Sequence, residues 1–350
     1  MENLMKHTRK QLILIGAVIL IVVATSVLIW INFRNKMIED DGIITIGYAA
    51  DNFVIERWKR DKEIFKEKTK AEGIEVIFYN ANENNEAQVK QIRALIEQRV
   101  DVLVVIAYDK HGITGVINEA IKEGIKVIAY DRLIKNANVD AYISFDNVKV
   151  GELMAEELLK VAPIGNYVII NGSPDDYNSF MFNEGFFNVL QEYIDTGKIV
   201  VIEEIWAEKW REEPAYELVS DILSREIQID AIIAANDRLA EAVIRALAER
   251  GLAGEVHVAG HDADISACQR IIEGTQHVTI YKPIRLLAEA TVDLAIRLAN
   301  GENVEGYEKI DNGLYMVPYI KLDVVAVTKH NMIETVIKDG FHLKEDIFRE

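Results

Sequence analysis

The feature that most limits the fold of this chain is an alternation that begins near residue 43. Short apolar runs, such as Val-Leu-Val-Val-Ile at 102–106 and Val-Ile-Ala at 127–129, alternate with longer amphipathic stretches. An apolar run of that kind suits a strand covered on both faces, and the periodic stretches suit crossover helices. Short loops between them imply parallel sheets with right-handed connections. The pattern predicts strands at 43–49, 74–79, 101–106 and 126–129, with helices at 56–72, 84–98 and 112–123. The series then repeats, with strands at 141–145, 166–171, 199–205, 230–234, 256–259 and 277–280 and helices at 147–161, 178–193, 212–225, 237–250 and 283–299. Segments 313–317 and 320–327 read as further strands, and the tail as a short helix.

There is an internal echo. Asp101-Val-Leu-Val-Val-Ile resembles Asp230-Ala-Ile-Ile-Ala-Ala, and each is followed by a helix, a glycine (Gly124, Gly251), a strand and an aspartate (Asp131, Asp262). The expected fold class is therefore α/β, with two doubly wound, Rossmann-like lobes. A length of 350 residues leaves room for about two such bodies.

Residues 12–31 carry no charge and are mostly Leu, Ile, Val and Ala. Twenty residues of helix span about 30 Å, one bilayer core. Lys6, Arg9 and Lys10 precede the run and favour a cytoplasmic N-terminus. The run is longer than an ordinary signal h-region, and Ala24-Thr25-Ser26 makes a poor cleavage site. A lipid-bearing cysteine is also missing, since Cys268 is the only cysteine. The reading is a cytoplasmic 1–11, an uncleaved transmembrane signal-anchor at 12–31 and a linker at 32–42. That linker reaches at most about 40 Å, which keeps the body on the extracytoplasmic side of the cell membrane. Cys268 itself reads as a small buried apolar residue, and no intrachain disulfide is possible. A net charge of −18 with no basic run excludes nucleic acid as a partner.

The chemistry gathers just past the strand ends. Lys126-Val-Ile-Ala-Tyr-Asp-Arg132 ends a buried strand with Asp131 and Arg132, at the edge where open α/β sheets bind ligands. Asp51, Asn52, Arg57 and Trp58 follow the first strand. In the second half come Asp175, Asn178, Trp210, Asn236, Asp237, Asp262 and Lys282. Carboxylate acceptors beside guanidinium and ammonium donors suit a ligand covered in hydroxyls, and an indole can cover the C–H face of a pyranose. Each position also has a plainer reading. Asp131 with Arg132 could be a surface pair, Asn178 could cap a helix, and Trp210 could be core. Asp237 is assigned as the cap of helix 237–250.

At these residues the chain resembles the periplasmic sugar-binding proteins of the ribose/galactose/xylose type, nearest their xylose-binding members. The shared stretches are Glu56-Arg-Trp58, Gly124-Ile-Lys-Val-Ile-Ala-Tyr-Asp-Arg132, Tyr142-Ile-Ser-Phe-Asp-Asn147, Asn171-Gly-Ser-Pro174, Asn236-Asp237, Asp262-Ala-Asp264, Gly274-Thr-Gln276 and Tyr281-Lys-Pro283. The terminal Thr335-Val-Ile-Lys-Asp-Gly-Phe-His342 belongs with them, so the likeness covers about 43–350. It implies a lobe of 43–147 plus 282–310 and a lobe of 148–281 plus 311–350, joined by three crossings near Asn147, Tyr281 and 309–313. It implies that Arg57, Asp131, Arg132, Asn178, Asn236, Asp262 and Lys282 bond sugar hydroxyls while Trp58 and Trp210 sandwich the ring. The ligand it implies is a pentose, D-xylose first, with no cofactor. Departures stand at His261, at Tyr177 and Ser179-Phe180 around Asn178, and at Arg238 and Glu241.

Other classes fit less well. Asp131 and Asp262 could form a glycosidase pair, but Arg132 and Lys282 favour ionised carboxylates where a general acid needs a proton. No Gly-x-Gly-x-x-Gly follows the first strand. His257 and His261 lie about 13 Å apart along a strand, too far for one zinc. A transcription regulator of the same fold would carry a helix-turn-helix where this chain carries its apolar run. For the partner, an anchored receptor signalling to a sensor histidine kinase is preferred over delivery to an ABC permease, because an integral helix suits a standing complex.

Overall fold

The computed structural model describes residues 42–349 together with Thr25 and Ser26. The chain divides into a segment Met1–Ile43 and a body Ile44–Glu350. The expected membrane helix at 12–31, apart from Thr25 and Ser26, lies outside the described residues, as do the flanking 1–11 and 32–41. Among the described residues, no helix is long and apolar enough to cross a membrane.

The body is built on two sheets. The first contains β1 (Thr45–Ala50), β2 (Glu75–Asn80), β3 (Val102–Val105), β4 (Lys126–Tyr130), β5 (Ala141–Phe145), β11 (Glu308–Asp311) and β12 (Met316–Leu322), in the order β11-β12-β5-β4-β3-β1-β2. The second contains β6 (Gly165–Asn171), β7 (Ile199–Trp206), β8 (Ala231–Ala234), β9 (His257–His261), β10 (Val278–Tyr281) and β13 (Val325–Val327), in the order β13-β10-β9-β8-β6-β7. Pairing is parallel except at the two late additions, where β11 runs against β12 and β13 against β10.

Helices cover both faces of each sheet, so the central strands are buried throughout. In the first lobe these are α1 (Glu56–Ala71), α2 (Asn85–Glu97), α3 (Thr114–Lys122) and α9 (Ile284–Ala299). In the second they are α4 (Asn147–Val161), α5 (Tyr177–Asp195), α6 (Glu213–Ser224), α7 (Asp237–Ala248) and α8 (Ile265–Glu273), with a terminal turn α10 (Lys344–Ile347). Alternation along β1 shows the division of the core. Ala49 faces one layer with Leu95 and Val127, whereas Ile46, Tyr48 and Ala50 face the other with Phe65, Tyr130 and Leu287. Helices α4 and α5 pack backbone to backbone through Gly151 and Gly185. A methyl on Gly151 would overlap the Phe182 carbonyl oxygen, and one on Gly185 the Val148 carbonyl oxygen. That close approach fixes α5, which carries Asn178 and Phe182.

The alternation legible in the sequence is present, with element ends displaced by a residue or two. Helix α8 was not read, because it is only nine residues long, with Ala267, Cys268 and Ile271 as its buried apolar positions. Cys268 is buried, as its type suggested. The C-terminal strands depart further from expectation. The residues 320–327, read as one strand, are two, because the chain changes sheets at Asp323–Val324. Met316–Leu322 pairs in parallel with β5 in the first sheet, Tyr319 opposite Tyr142. The stretch 311–322 therefore belongs to the first lobe, and the third crossing falls at 323–324 rather than 309–313. The other two crossings lie between β5 and α4 and between β10 and α9.

Candidate functional site

Asp131 and Asp262 occupy equivalent places in the two lobes. Each follows a strand, β4 or β9, and each bonds its backbone N–H to the neighbouring strand, at the Ile143 oxygen (2.8 Å) and the Ile280 oxygen (3.0 Å). Both have left-handed backbones, with φ of 63° and 105°, and Ala263 follows at 53°. Non-glycine residues hold such conformations only where the surroundings fix them. For Asp131, Tyr142 Oη (3.1 Å), Ser144 Oγ (2.8 Å) and Asn178 Nδ2 (3.1 Å) all donate to its carbonyl oxygen. The strain aims each carboxylate into the space between the lobes.

Two arginines of the first lobe span that space. Arg57, in the first turn of α1, donates one nitrogen to Asp131 Oδ2 and places Nη1 3.3 Å from Asp262 Oδ1. Arg132 places Nη1 2.8 Å from Asp51 Oδ2 and Nε 2.9 Å from Asp176 Oδ2. Each guanidinium thus joins a carboxylate of its own lobe to one of the other. Lys282 Nζ adds a second cation at 2.8 Å from Asp262 Oδ1. Asn178 crosses as well, its Nδ2 lying 3.2 Å from Asp131 Oδ1.

Burial and these partners set the charges. Burial pushes the Asp262 carboxyl up, but Lys282, His261 and Arg57 outweigh it and hold the group well below the usual carboxylate range. Burial, then the nearby Lys282 charge, pushes His261 down to about 3, so its imidazole is neutral. Burial lowers Lys282, helped by Arg57. Burial raises Asp51 and Asp176, with Arg132 pulling both the other way.

These groups line one cavity of about 410 Å³. All nine residues that the resemblance assigns to the sugar reach its wall: Arg57, Trp58, Asp131, Arg132, Asn178, Trp210, Asn236, Asp262 and Lys282. Trp58 is buried under the Arg57 guanidinium, 4.5 Å from its ring centre. Five side-chain atoms of these wall residues are buried with no hydrogen-bond partner among the described residues: Asp51 Oδ1, Arg57 Nε, Trp58 Nε1, Trp210 Nε1 and His261 Nδ1. Buried polar atoms left so are costly.

One cap assignment changes, and the cap alternative for Asn178 falls away. Asn236, not Asp237, caps α7 by accepting from Leu239 N–H at 2.9 Å. Asp237 sits one residue inside and accepts instead from Thr279 Oγ1 (2.8 Å) and Gln276 Nε2 (2.8 Å), beneath the site. Asn178 does not cap α5, since Asp176 does so through Asn178 N–H (3.0 Å). Asp176, Ser173, Tyr108 and Phe182 also line the cavity and went unread. For Asp176 the signal was present, an acidic residue just ahead of a helix. Phe182 gave none, being one apolar residue among many on α5.

Residues 46–303 match the family described as "Periplasmic binding protein domain". The chain is 44% identical over 306 residues to the D-xylose-binding periplasmic protein of Haemophilus influenzae, covering 87% of this chain and 92% of that one. It is 43% identical over 305 residues to the protein of the same description from Escherichia coli, with the same 87% and 92% coverage. Among solved structures, a carbohydrate transporter solute binding protein from Chloroflexus aurantiacus, in complex with D-glucose, superposes with a TM-score of 0.81 at 27% identity, covering 87% of this chain and 98% of that one.

Proposed function

The chain belongs to the periplasmic binding protein family, and on that premise we propose that it binds a pentose, D-xylose, between its lobes and hands it to an ABC permease. The observation that carries the reading is the pair of interlobe bridges around one cavity, Asp131–Arg57–Asp262 and Asp51–Arg132–Asp176. Vicinal hydroxyls both donate and accept. Carboxylate oxygens accept hydrogen bonds from them, while Arg57, Arg132, Lys282 and Asn178 donate to their oxygens. Trp58 and Trp210 supply apolar faces for the ring carbons. With donors and acceptors drawn from both lobes, a bound sugar favours the closed arrangement by as much as it prefers that arrangement over the open one. Asp262, held ionised, is unsuited to act as a general acid.

The relatives support delivery over sensing. The Chloroflexus structure is of a transporter's solute binding protein, and the two bacterial relatives are periplasmic proteins for D-xylose. The anchored receptor signalling to a histidine kinase, preferred from the sequence, rested on 12–31, outside the described residues, and gains no support from these relatives. We place the working body on the extracytoplasmic side.

Calorimetric titration of the full-length chain with D-xylose, D-ribose, L-arabinose, D-glucose and D-galactose tests the ligand. Micromolar affinity for D-xylose, about −8 kcal/mol, with weaker responses to the rest, is expected. Tighter binding of a hexose would replace the pentose assignment, and no heat with any of the five would overturn the reading.

A further inference from the structure

The left-handed Asp262–Ala263 turn is held differently from its counterpart at Asp131. In the first lobe the carbonyl of the turn is fixed from β5 and α5. In the second, the Ala263 N–H donates to Thr279 Oγ1 (3.0 Å), and the Ala263 carbonyl oxygen lies 2.7 Å from Nε2 of His342. His342 comes from the C-terminal tail, beyond the last strand. It closes the stretch Thr335-Val-Ile-Lys-Asp-Gly-Phe-His342, which the sequence singles out and the binding reading leaves without a task.

The same few residues touch the other half of the site. Phe341 packs on Tyr281 at 4.9 Å, and Asp339 accepts a hydrogen bond from the Tyr281 hydroxyl. Tyr281 precedes Lys282, the ammonium on Asp262. The tail also crosses to the first lobe. Arg60 on α1 donates to the Phe341 carbonyl oxygen, lies over the Phe341 ring at 4.7 Å, and places Nη2 3.3 Å from His342 Nδ1. Arg60 stands one turn along α1 from Arg57, the residue that reaches Asp262.

The tautomer follows from the partners. A carbonyl oxygen only accepts and a guanidinium only donates. His342 must therefore carry its proton on Nε2, facing Ala263, and accept at Nδ1 from Arg60. We propose that the Phe341–His342 pair is a strap that couples lobe closure to the shape of the Asp262–Ala263 turn, with His342 as a positioning residue for sugar binding. When α1 closes on the second lobe, Arg60 seats the strap, and the seated imidazole holds the carbonyl that fixes the Asp262 turn. This rests on the proposed binding of a sugar by Asp262, so its test includes a readout independent of sugar.

The experiment uses the full-length chain and two variants. His342→Phe keeps the ring and loses both hydrogen bonds. Arg60→Gln removes the guanidinium that reaches the Phe341 carbonyl oxygen and His342 Nδ1 across the cleft and leaves the tail's contacts with Ala263 and Tyr281 in place. By titration, both should bind D-xylose at least about 5-fold more weakly than the parent, while His342→Gln, which keeps an amide donor for Ala263, should lose less than His342→Phe. Wild-type affinity in a folded Arg60→Gln protein would overturn the coupling, and this variant decides the matter if His342→Phe fails to fold. Independently, histidine-ring ¹⁵N spectra at neutral pH should show His342 as the neutral Nε2–H tautomer. A protonated ring or the Nδ1–H tautomer would overturn the strap whether or not any sugar binds. A strap confirmed by these spectra in a chain that binds no sugar would mean that the function was misread and the strap was not.

Discussion

Arg57 and Asp262 come from opposite lobes and from positions 205 residues apart, yet Nη1 of one lies 3.3 Å from Oδ1 of the other. The same carboxylate oxygen receives Lys282 Nζ at 2.8 Å. Two buried cations therefore converge on one anion, and the second anion within reach of Arg57 is Asp131. The balance is local, so removing either carboxylate strands buried positive charge between the lobes.

Asp262→Asn keeps the shape and removes the charge. Breaking a buried pair from one side costs about 3–5 kcal/mol, because the partner remains buried and uncompensated. Denaturant unfolding should show a loss of that order, and D-xylose affinity should fall with it. Burial already lowers Lys282, so the stability deficit should shrink at alkaline pH, where Lys282 can shed its proton. A variant as stable as the parent at neutral pH would remove Asp262 from the charge balance described here.

Asp61 lies fully buried behind Arg57, accepting from the Tyr130 hydroxyl, and its Oδ2 has no partner among the described residues. Burial, partly offset by Arg57 and Tyr130, pushes its carboxyl from 3.8 up to about 7. The folded state thus binds this proton more tightly than the unfolded state. Its contribution is full below the ordinary value and is lost as pH rises through about 7. Asp237, also raised to about 7, and His261, lowered to about 3, act in opposite senses, so the clean measurement is a difference. Asp61→Asn should gain stability relative to the parent between pH 5 and pH 8, at no more than about 1.4 kcal/mol per unit. A constant difference across that range would mean that Asp61 does not titrate there.

The strand-end residues were legible because a parallel sheet delivers them to one edge whatever the details of the loops. Asp131 and Asp262 could be matched from the sequence alone, since each ends the same run of helix, glycine and strand. The partners within the site could not. That Arg57 would reach across to Asp262, or Arg132 to Asp176, depends on how two lobes meet, and no local spacing encodes that. The change of sheet at Asp323–Val324 was hidden for a related reason. The residues 320–327 read as one strand, and only their pairing with two different sheets breaks it. Asn236 and Asp237 are adjacent and equally suited to cap α7, so their exchange turned on which side chain met Thr279.

Gly172 should prove as important to the site as a polar ligand. An added methyl there would overlap the Trp210 ring and approach Ser179 Oγ at 2.5 Å. Ser179 is fully buried, and Trp210 is backed by the apolar core of its lobe on one side and open to the cavity on the other. Gly172→Ala should therefore push the indole into the cavity. Overpacking of this sort costs about 1–3 kcal/mol, and affinity for D-xylose should fall further than stability does. Full affinity in this variant would show that the Trp210 face is not used.

Arg132→Lys tests the other bridge. The guanidinium reaches Asp51 and Asp176 through different nitrogens, at 2.8 and 2.9 Å, while also donating to the Ala107 carbonyl oxygen at 3.0 Å. A single ammonium cannot hold that fork. One carboxylate should be left buried without its partner, costing about 1.5–3 kcal/mol of sugar affinity per charged hydrogen bond lost. Burial already raises both Asp51 and Asp176, and losing the guanidinium raises them further. The orphaned carboxyl should then take up a proton as the pH falls, relieving the buried charge. Titrations at pH 8 and pH 5 should show the affinity deficit narrowing on the acid side. A deficit of the same size at both values would mean that Arg132 acts through its own contact with the ligand rather than by neutralising the carboxylates between the lobes.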